Sequence, residues 1–384
     1  MPVNPFNPGV YSPVQVIFGR DEQLRVVGRV IAQVEDGSSH PPVCFTGPQG
    51  LGKTFMLRHI ANELRARGWL CGYTEAGSDI GSAIYDILGD AEHMAPRRSA
   101  VRRTLGRVKG VSTTAGPVSI GLDLQSVDNG SAYSRLVQLF REINGKAGSA
   151  FTGAALLLDE AQVLPDAHLN QLFRALGAVE QSRIVLFMAA LPGLTGVISS
   201  MSQSVAAPSW KRSFSTPYVR VSDLRALSPA DSESVLLSPV DPEEGEFEPP
   251  AVSALARFAL GHPMTLQMLG QSAWDIGACG DGKVVICAAH ADEAIAEVSE
   301  QLRIRYHRPA WRNCSDRERS LLKRLANMGG SAAERELAGS AKGGGPDPTA
   351  TIYGLVDGGL LYDDPRTGII SIVMPGFREF IMSA

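Results

Sequence analysis

The residues best spaced for chemistry are Gly47, Pro48, Gln49, Gly50, Leu51, Gly52, Lys53 and Thr54, which satisfy G-x-x-x-x-G-K-[ST] at every fixed position. Glycines at that spacing let successive backbone N–H groups turn inward on an anion, and a helix beginning at the lysine adds its positive end. Such a loop cradles nucleotide phosphates, with Lys53 reaching the β- and γ-phosphates and the Thr54 hydroxyl ligating Mg²⁺. ATP with Mg²⁺ is the expected ligand, and ATP hydrolysis the expected activity. About a hundred residues further on, the apolar run Leu156-Leu157-Leu158 ends in two carboxylates, Asp159 and Glu160. Asp159 is expected to hold the metal, and Glu160 to take a proton from the attacking water.

Chemistry at those positions needs strands that stop just before each motif. Val43–Thr46 is a short apolar run leading into the loop, and Leu57, Ile60, Ala61 and Leu64 follow it at helical spacing. Residues 69–73, 154–158, 184–189 and 218–221 read as further strands, and Tyr133, Leu136, Val137 and Phe140 as the face of another helix. The alternation predicts a parallel α/β sheet over residues 1–222, with ligands at the carboxyl ends of its strands. Past Asp223 the strand signals stop. Ser228-Pro229 opens a helical stretch, Pro239–Pro250 reads as an acidic solvated connector, and helices follow to about residue 308. Residues 309–384 read as three helices, over about 315–328, 333–338 and 348–356, then two strands over 360–362 and 369–373, which is a winged-helix arrangement.

Composition limits the alternatives. A chain of 384 residues exceeds what one core usually organises. A net charge of −4 and a pI near 6.0 argue against wholesale charge-driven nucleic-acid binding. No apolar run approaches the roughly 18 residues of a membrane span. The five cysteines include no C-x-x-C pair and the seven histidines no H-x-x-x-H, so neither a zinc site nor a disulfide framework is supported. These features, with a proline-rich N-terminus unlike a signal peptide, point to the cytoplasm.

Taken with their order, the two motifs resemble those of the AAA+ and STAND P-loop ATPases, especially the origin-recognition-like group with a C-terminal winged helix. Asn4-Pro5-Phe6-Asn7-Pro8-Gly9, then Phe18-Gly19-Arg20-Asp21, is similar to the segment that such proteins place before the P-loop. The resemblance implies base contacts from Val16, Phe18, Gly19 and Arg20. It extends the nucleotide site through Phe55, and it gives Gly261-His262-Pro263 the part of a lid element, with Pro263 beside the nucleotide. It implies a three-part chain (1–222, 223–308, 309–384) whose lid and winged helix are tied to the sheet largely through bound nucleotide. Lys211-Arg212-Ser213-Phe214 resembles the place of a catalytic arginine that reaches a neighbouring subunit's nucleotide, although a structural ion pair serves as well for Arg212. Where many AAA+ proteins carry a polar residue at the end of the fourth strand, this chain has Met188-Ala189-Ala190-Leu191.

Two readings of function follow. One is a nucleotide-controlled switch or assembling ATPase, slow to hydrolyse, that engages a protein partner or further copies of itself. The other is a DNA-binding ATPase of replication-initiator or transposition-regulator type. DNA contact has its support in Arg97, Arg98, Arg102, Arg103, Arg107 and Lys109, which crowd one segment with no acid between them, and a solvated helical face is the alternative for that cluster. Against DNA reading, the expected recognition helix at 349–356 has neither lysine nor arginine. A docking role for the C-terminal part is favoured.

Overall fold

The computed structural model describes residues 2–8, 17–38, 40–75, 87, 129–147, 151–203, 219–278, 282–339 and 348–384. Strands β1 (Val43–Thr46), β2 (Leu70–Glu75), β3 (Ala154–Asp159), β4 (Ile184–Ala190) and β5 (Arg220–Asp223) form one sheet in the order β2-β3-β4-β1-β5. Every pairing in it is parallel. The last strand lies two residues later than its apolar pattern suggests, because Arg220 and Asp223 pair with Val43 and Thr46 at the sheet's edge.

Strand periodicity divides the core. In β3, Leu156 and Leu158 point into one apolar layer and Ala155 and Leu157 into the other; in β4, Leu186 and Met188 oppose Val185 and Phe187. The first layer is closed by helices α3 (Asn129–Lys146) and α4 (Asp166–Gly177). The second is closed by α1 (Asp21–Glu35), through Val26, Val27, Val30, Ile31 and Val34, and by α2 (Lys53–Ala66), through Met56, Leu57, Ile60 and Leu64. Such faces recur at helical spacing, so burial of each stripe fixes its helix against the sheet. After β4 comes α5 (Leu194–Gln203).

A third cluster joins α6 (Pro229–Leu237), α7 (Pro249–Ala259), α8 (Pro263–Gly277) and α9 (Ala288–Leu302). Strands do not stop at Asp223 as expected. Gly245–Phe247 (β6) and Val284–Ile286 (β7) pair in parallel, and the stretch read as a solvated connector contains β6, anchored by buried Phe247. Phe6 also enters this cluster, edge-on to Phe247, while Asn4 Nδ2 donates to the Gln271 carbonyl. The N-terminal segment therefore packs on α8.

A fourth cluster holds α11 (Asp316–Asn327), α12 (Glu334–Ala338), α13 (Thr349–Asp357) and the hairpin β9 (Leu361–Asp364) and β10 (Ile369–Ile372). It follows a π turn at Arg303–His307 and the short α10 (Arg308–Asn313). Two elements go beyond the sequence reading: β8 (Ser331–Ala333), which pairs with β10, and the terminal α14 (Phe377–Ser383). Among the described residues no helix is long and apolar enough to cross a membrane.

Candidate functional site

The loop 47–54 leaves the carboxyl end of β1, a fully buried strand between β4 and β5, and runs into α2. Lys53 is the first helical residue and is 6% exposed. Its Nζ donates to the carbonyls of Gly47 and Pro48, both at 2.8 Å, so the loop wraps its own lysine. Burial pushes this ammonium below the ordinary lysine value, and the charges of Glu160 and Asp159 pull it back. Thr54 is exposed on the first turn of α2. Phe55 is half-buried beside His59.

Asp159 ends β3 and is 2% exposed. Its carboxylate is oriented by two donors, Tyr73 Oη at 2.8 Å and the Glu160 amide at 3.0 Å. Burial, followed by this bond, raises the Tyr73 phenol above its ordinary value and keeps it a donor. Glu160 is exposed, with backbone in the left-handed region at φ 52°, where a non-glycine residue is strained. Gln162, in the 3₁₀ turn Ala161–Val163, donates its amide to Glu160 Oε2 and accepts from the Leu191 amide at 3.1 Å.

Arg20 is placed beside the loop, though its guanidinium serves the protein backbone. It is 5% exposed and donates to the Leu51 carbonyl at 3.0 Å and to its own neighbour Gly19 at 3.2 Å. Burial draws it down to about 10, against the nearby charges of Asp231 and Asp223. Phe18 and Gly19 lie in the same half-buried approach, and Gly19 packs on Leu227 and Asp231 of the helical part. Val16, Arg212 and the basic residues Arg97, Arg98, Arg102, Arg103, Arg107 and Lys109 lie outside the described residues.

The lid element reaches the loop directly. His262 caps α8, with Nδ1 accepting from the Thr265 amide, which leaves the proton on Nε2 to donate to the Gln49 carbonyl at 3.0 Å. The Met264 amide meets the Gly50 carbonyl at 3.3 Å. Gly50 sits at φ +79°, and a Cβ there would lie 2.3 Å from the imidazole, so only glycine admits this contact. Pro263, half-buried, occupies the first turn of α8 beside these bonds. Burial holds His262 down to about 4, so the ring stays neutral.

The C-terminal part touches the same loop. Gly359, at φ +74° in the turn after α13, approaches Leu191, Pro48 Cα and Gln49 N so closely that a Cβ would lie 3.0–3.6 Å from them. The Gly193 amide reaches the Asp357 carbonyl at 3.4 Å, and Tyr362 Oη donates to Asp223 Oδ2 at 2.7 Å. Both outer parts are therefore bonded to the sheet by protein groups directly. These contacts stand beside whatever tie a bound nucleotide adds.

The sequence reading does not assign parts in the site to Tyr73, Gln162, Asp223, Tyr362 and Gly359. Only Gln162 carries a sequence cue, its place two residues after the carboxylate pair. The loop opens on the α2 N-terminus, an end that favours an anion, where the first turn carries the Thr54 hydroxyl and the end of β3 brings one buried and one exposed carboxylate.

Residues 16–188 match the family model described as an AAA ATPase domain. Comparison with curated protein sequences finds no match. Among solved structures, the chain is similar to the ORC2 protein of Aeropyrum pernix in its ADPNP–ADP complexes. The identity is 14%, the TM-score 0.59, and 99% of this chain and 96% of that chain are covered. It is also similar to a Walker-type ATPase of Pyrococcus abyssi, at 14% identity and a TM-score of 0.58, covering 95% and 96% of the two chains. Domain match, motif and sheet order together identify residues 16–188 as an AAA ATPase domain with a P-loop, in a chain that shares its fold with the ORC2 structure.

Proposed function

We propose that the chain is a Mg-ATP-dependent switch, hydrolysing slowly, in which the nucleotide at Gly47–Thr54 controls how the helical and C-terminal parts sit on the sheet. The observation that carries this reading is that one loop, 47–51, bonds or packs against all three surroundings: Arg20, His262 and Gly359. Phosphates entering the loop compete for Lys53, which now donates to Gly47 and Pro48, and so alter the carbonyls and amides on which the other parts rest. We read the divisions near residues 222 and 308 as domain boundaries, on the support of the separate apolar clusters, and the last part as a winged helix used for docking.

The residues fit the expected ligands. The loop carbonyls gripping Lys53 mark where anionic oxygens are wanted, and a hydroxyl with one carboxylate is a donor set suited to Mg²⁺ shared with phosphates. Thr54 and Asp159 would hold the ion, which when bound screens phosphate charge. Glu160 would take the proton of a water whose oxygen bonds the γ-phosphorus, as the bond to the β,γ-bridging oxygen breaks and ADP leaves. Phe18, Gly19, Phe55 and Pro263 would line the base, with Val16 beyond the described residues. Arg20 supports the loop, and Arg212 is kept as an arginine acting between subunits.

Glu160→Gln tests the reading: ATP binding should persist while turnover falls by about 10²–10⁴-fold, the usual worth of a general base. Unchanged turnover in that variant would remove Glu160 from the chemistry. A DNA-engaging ATPase is the second reading, favoured by Arg97–Lys109 and by Lys323 and Arg324 on α11, beside Ser320 and Asn327 in an open recess. Retardation of DNA that requires ATP and weakens with salt would select it.

A further inference from the structure

We infer that Gln162 is the positioning residue for Glu160, anchoring the base to the end of β4 in place of a polar side chain on that strand. The inference builds on the ATPase reading above. Its starting point is the geometry of one side chain that spans three segments. The amide nitrogen of Gln162 donates to Glu160 Oε2, and the amide oxygen accepts from the Leu191 backbone N–H at 3.1 Å. An amide is the neutral side chain that offers a donor and an acceptor at opposite corners of one planar group. Glutamine therefore matches a carboxylate on one side and a peptide N–H on the other.

Glu160 needs such a partner. It is exposed, it has three rotatable side-chain bonds, and its backbone sits in the left-handed region immediately after the strand. Without a restraint its carboxylate samples many positions, and a base that wanders spends little time near the water it must deprotonate. The buried neighbour Asp159 cannot supply one, because a carboxylate offers another carboxylate no donor, and its oxygens already accept from Tyr73 and from the Glu160 amide. The 3₁₀ turn brings Gln162 back toward the strand end, where the two bonds fall into place.

The far anchor is Leu191, directly after β4, whose last residues Met188, Ala189 and Ala190 are all fully buried and apolar. Side chains of that strand offer Glu160 nothing to bond, and the backbone N–H serves instead. Leu191 is also the residue on which Gly359 rests, so the anchor belongs to the contact between the sheet and the C-terminal part.

The experiment compares ATP turnover and nucleotide affinity in the full chain for Gln162→Ala, Gln162→Glu and the wild type, each also in a Glu160→Gln background. Gln162→Glu keeps an acceptor for Leu191 and replaces the donor to Glu160 by a second carboxylate. Both variants should lower kcat by about tenfold or more while the ATP dissociation constant and melting temperature stay near those of the wild type. In the Glu160→Gln background neither should cost anything further, because a residue acting through the base has nothing left to position. Wild-type kcat in both variants would overturn the inference and leave the ATPase reading intact. So would losses of kcat that persist undiminished in the Glu160→Gln background, or that track lower affinity or melting temperature, since these indicate a structural part. A wild type that binds ATP and turns over no faster than Glu160→Gln would overturn the inference together with the catalytic half of the reading.

Discussion

At the scale of single residues, the site is built from side chains that spend their polar groups on backbone. Lys53, Arg20 and His262 donate to carbonyls of the loop, at Gly47 and Pro48, at Leu51 and at Gln49. The motif positions were legible because a fixed spacing of glycines, lysine and threonine has few other uses. The partners of Arg20 and Gln162 were not, since a peptide group 31 or 29 residues away leaves no mark in the side-chain pattern, and Arg20 was read instead as a base contact. His262 adds a pH term. Its folded pKa, about 4, lies below the unfolded value near 6.5, so the unfolded chain binds the extra proton between them. Stability from this residue is present above about pH 6.5 and is lost as pH falls toward 4, by about 3 kcal/mol in all. Urea titrations from pH 7 to 4 should show a shallower acid loss in His262→Asn than in the wild type; parallel curves would contradict a buried neutral imidazole.

At the scale of elements, the sheet was readable wherever strands are buried on both faces. β1, β3 and β4 are unbroken apolar runs, and the structure adds no more than one residue to any of them. The three-residue strands β6, β7 and β8 were not, for they are too short to show a period and are fixed by partners far along the chain. Phe45 and Phe187 stack with centroids 6.4 Å apart and carry β1 against β4, directly under the loop. Phe45→Ala should cost about 3–5 kcal/mol in chemical denaturation, the usual range for a fully buried phenylalanine. A loss under about 1 kcal/mol would mean that the loop's foundation lies elsewhere. Gly50→Ala tests the seam between elements: its methyl would displace the imidazole, and the φ of +79° adds strain. The variant should lower both melting temperature and nucleotide affinity, and unchanged values for both would show that His262 and the loop separate without cost.

At the scale of the whole molecule, the three-part order was legible, but how the parts are held was not. Among the described residues the groups that carry it include His262 on Gln49, Tyr362 on Asp223, Gly359 on Pro48 and Gln49, and His307, whose Nε2 meets the Pro375 carbonyl and whose ring packs on Phe377 and Phe380. Bonds between units depend on two surfaces meeting, and a pattern within either sequence segment does not report them. Asp223 is raised above the ordinary carboxylate range by burial, and the Tyr362 hydroxyl moderates this. Tyr362→Phe should therefore loosen the C-terminal part, speeding amide exchange at residues 357–362 while exchange in β3 and β4 stays the same; equal exchange at 357–362 would deny Tyr362 a docking role. The contacts of Gly359 and His262 meet on the loop, which makes occupancy of the loop the central claim. Calorimetric titration of ATP with Mg²⁺ into the wild type and Lys53→Ala tests it most directly. Saturable binding in the wild type that weakens by about 100-fold or more in the variant is the predicted result, on the scale of losing two charge-assisted hydrogen bonds. Equal affinity in the two proteins would contradict the account.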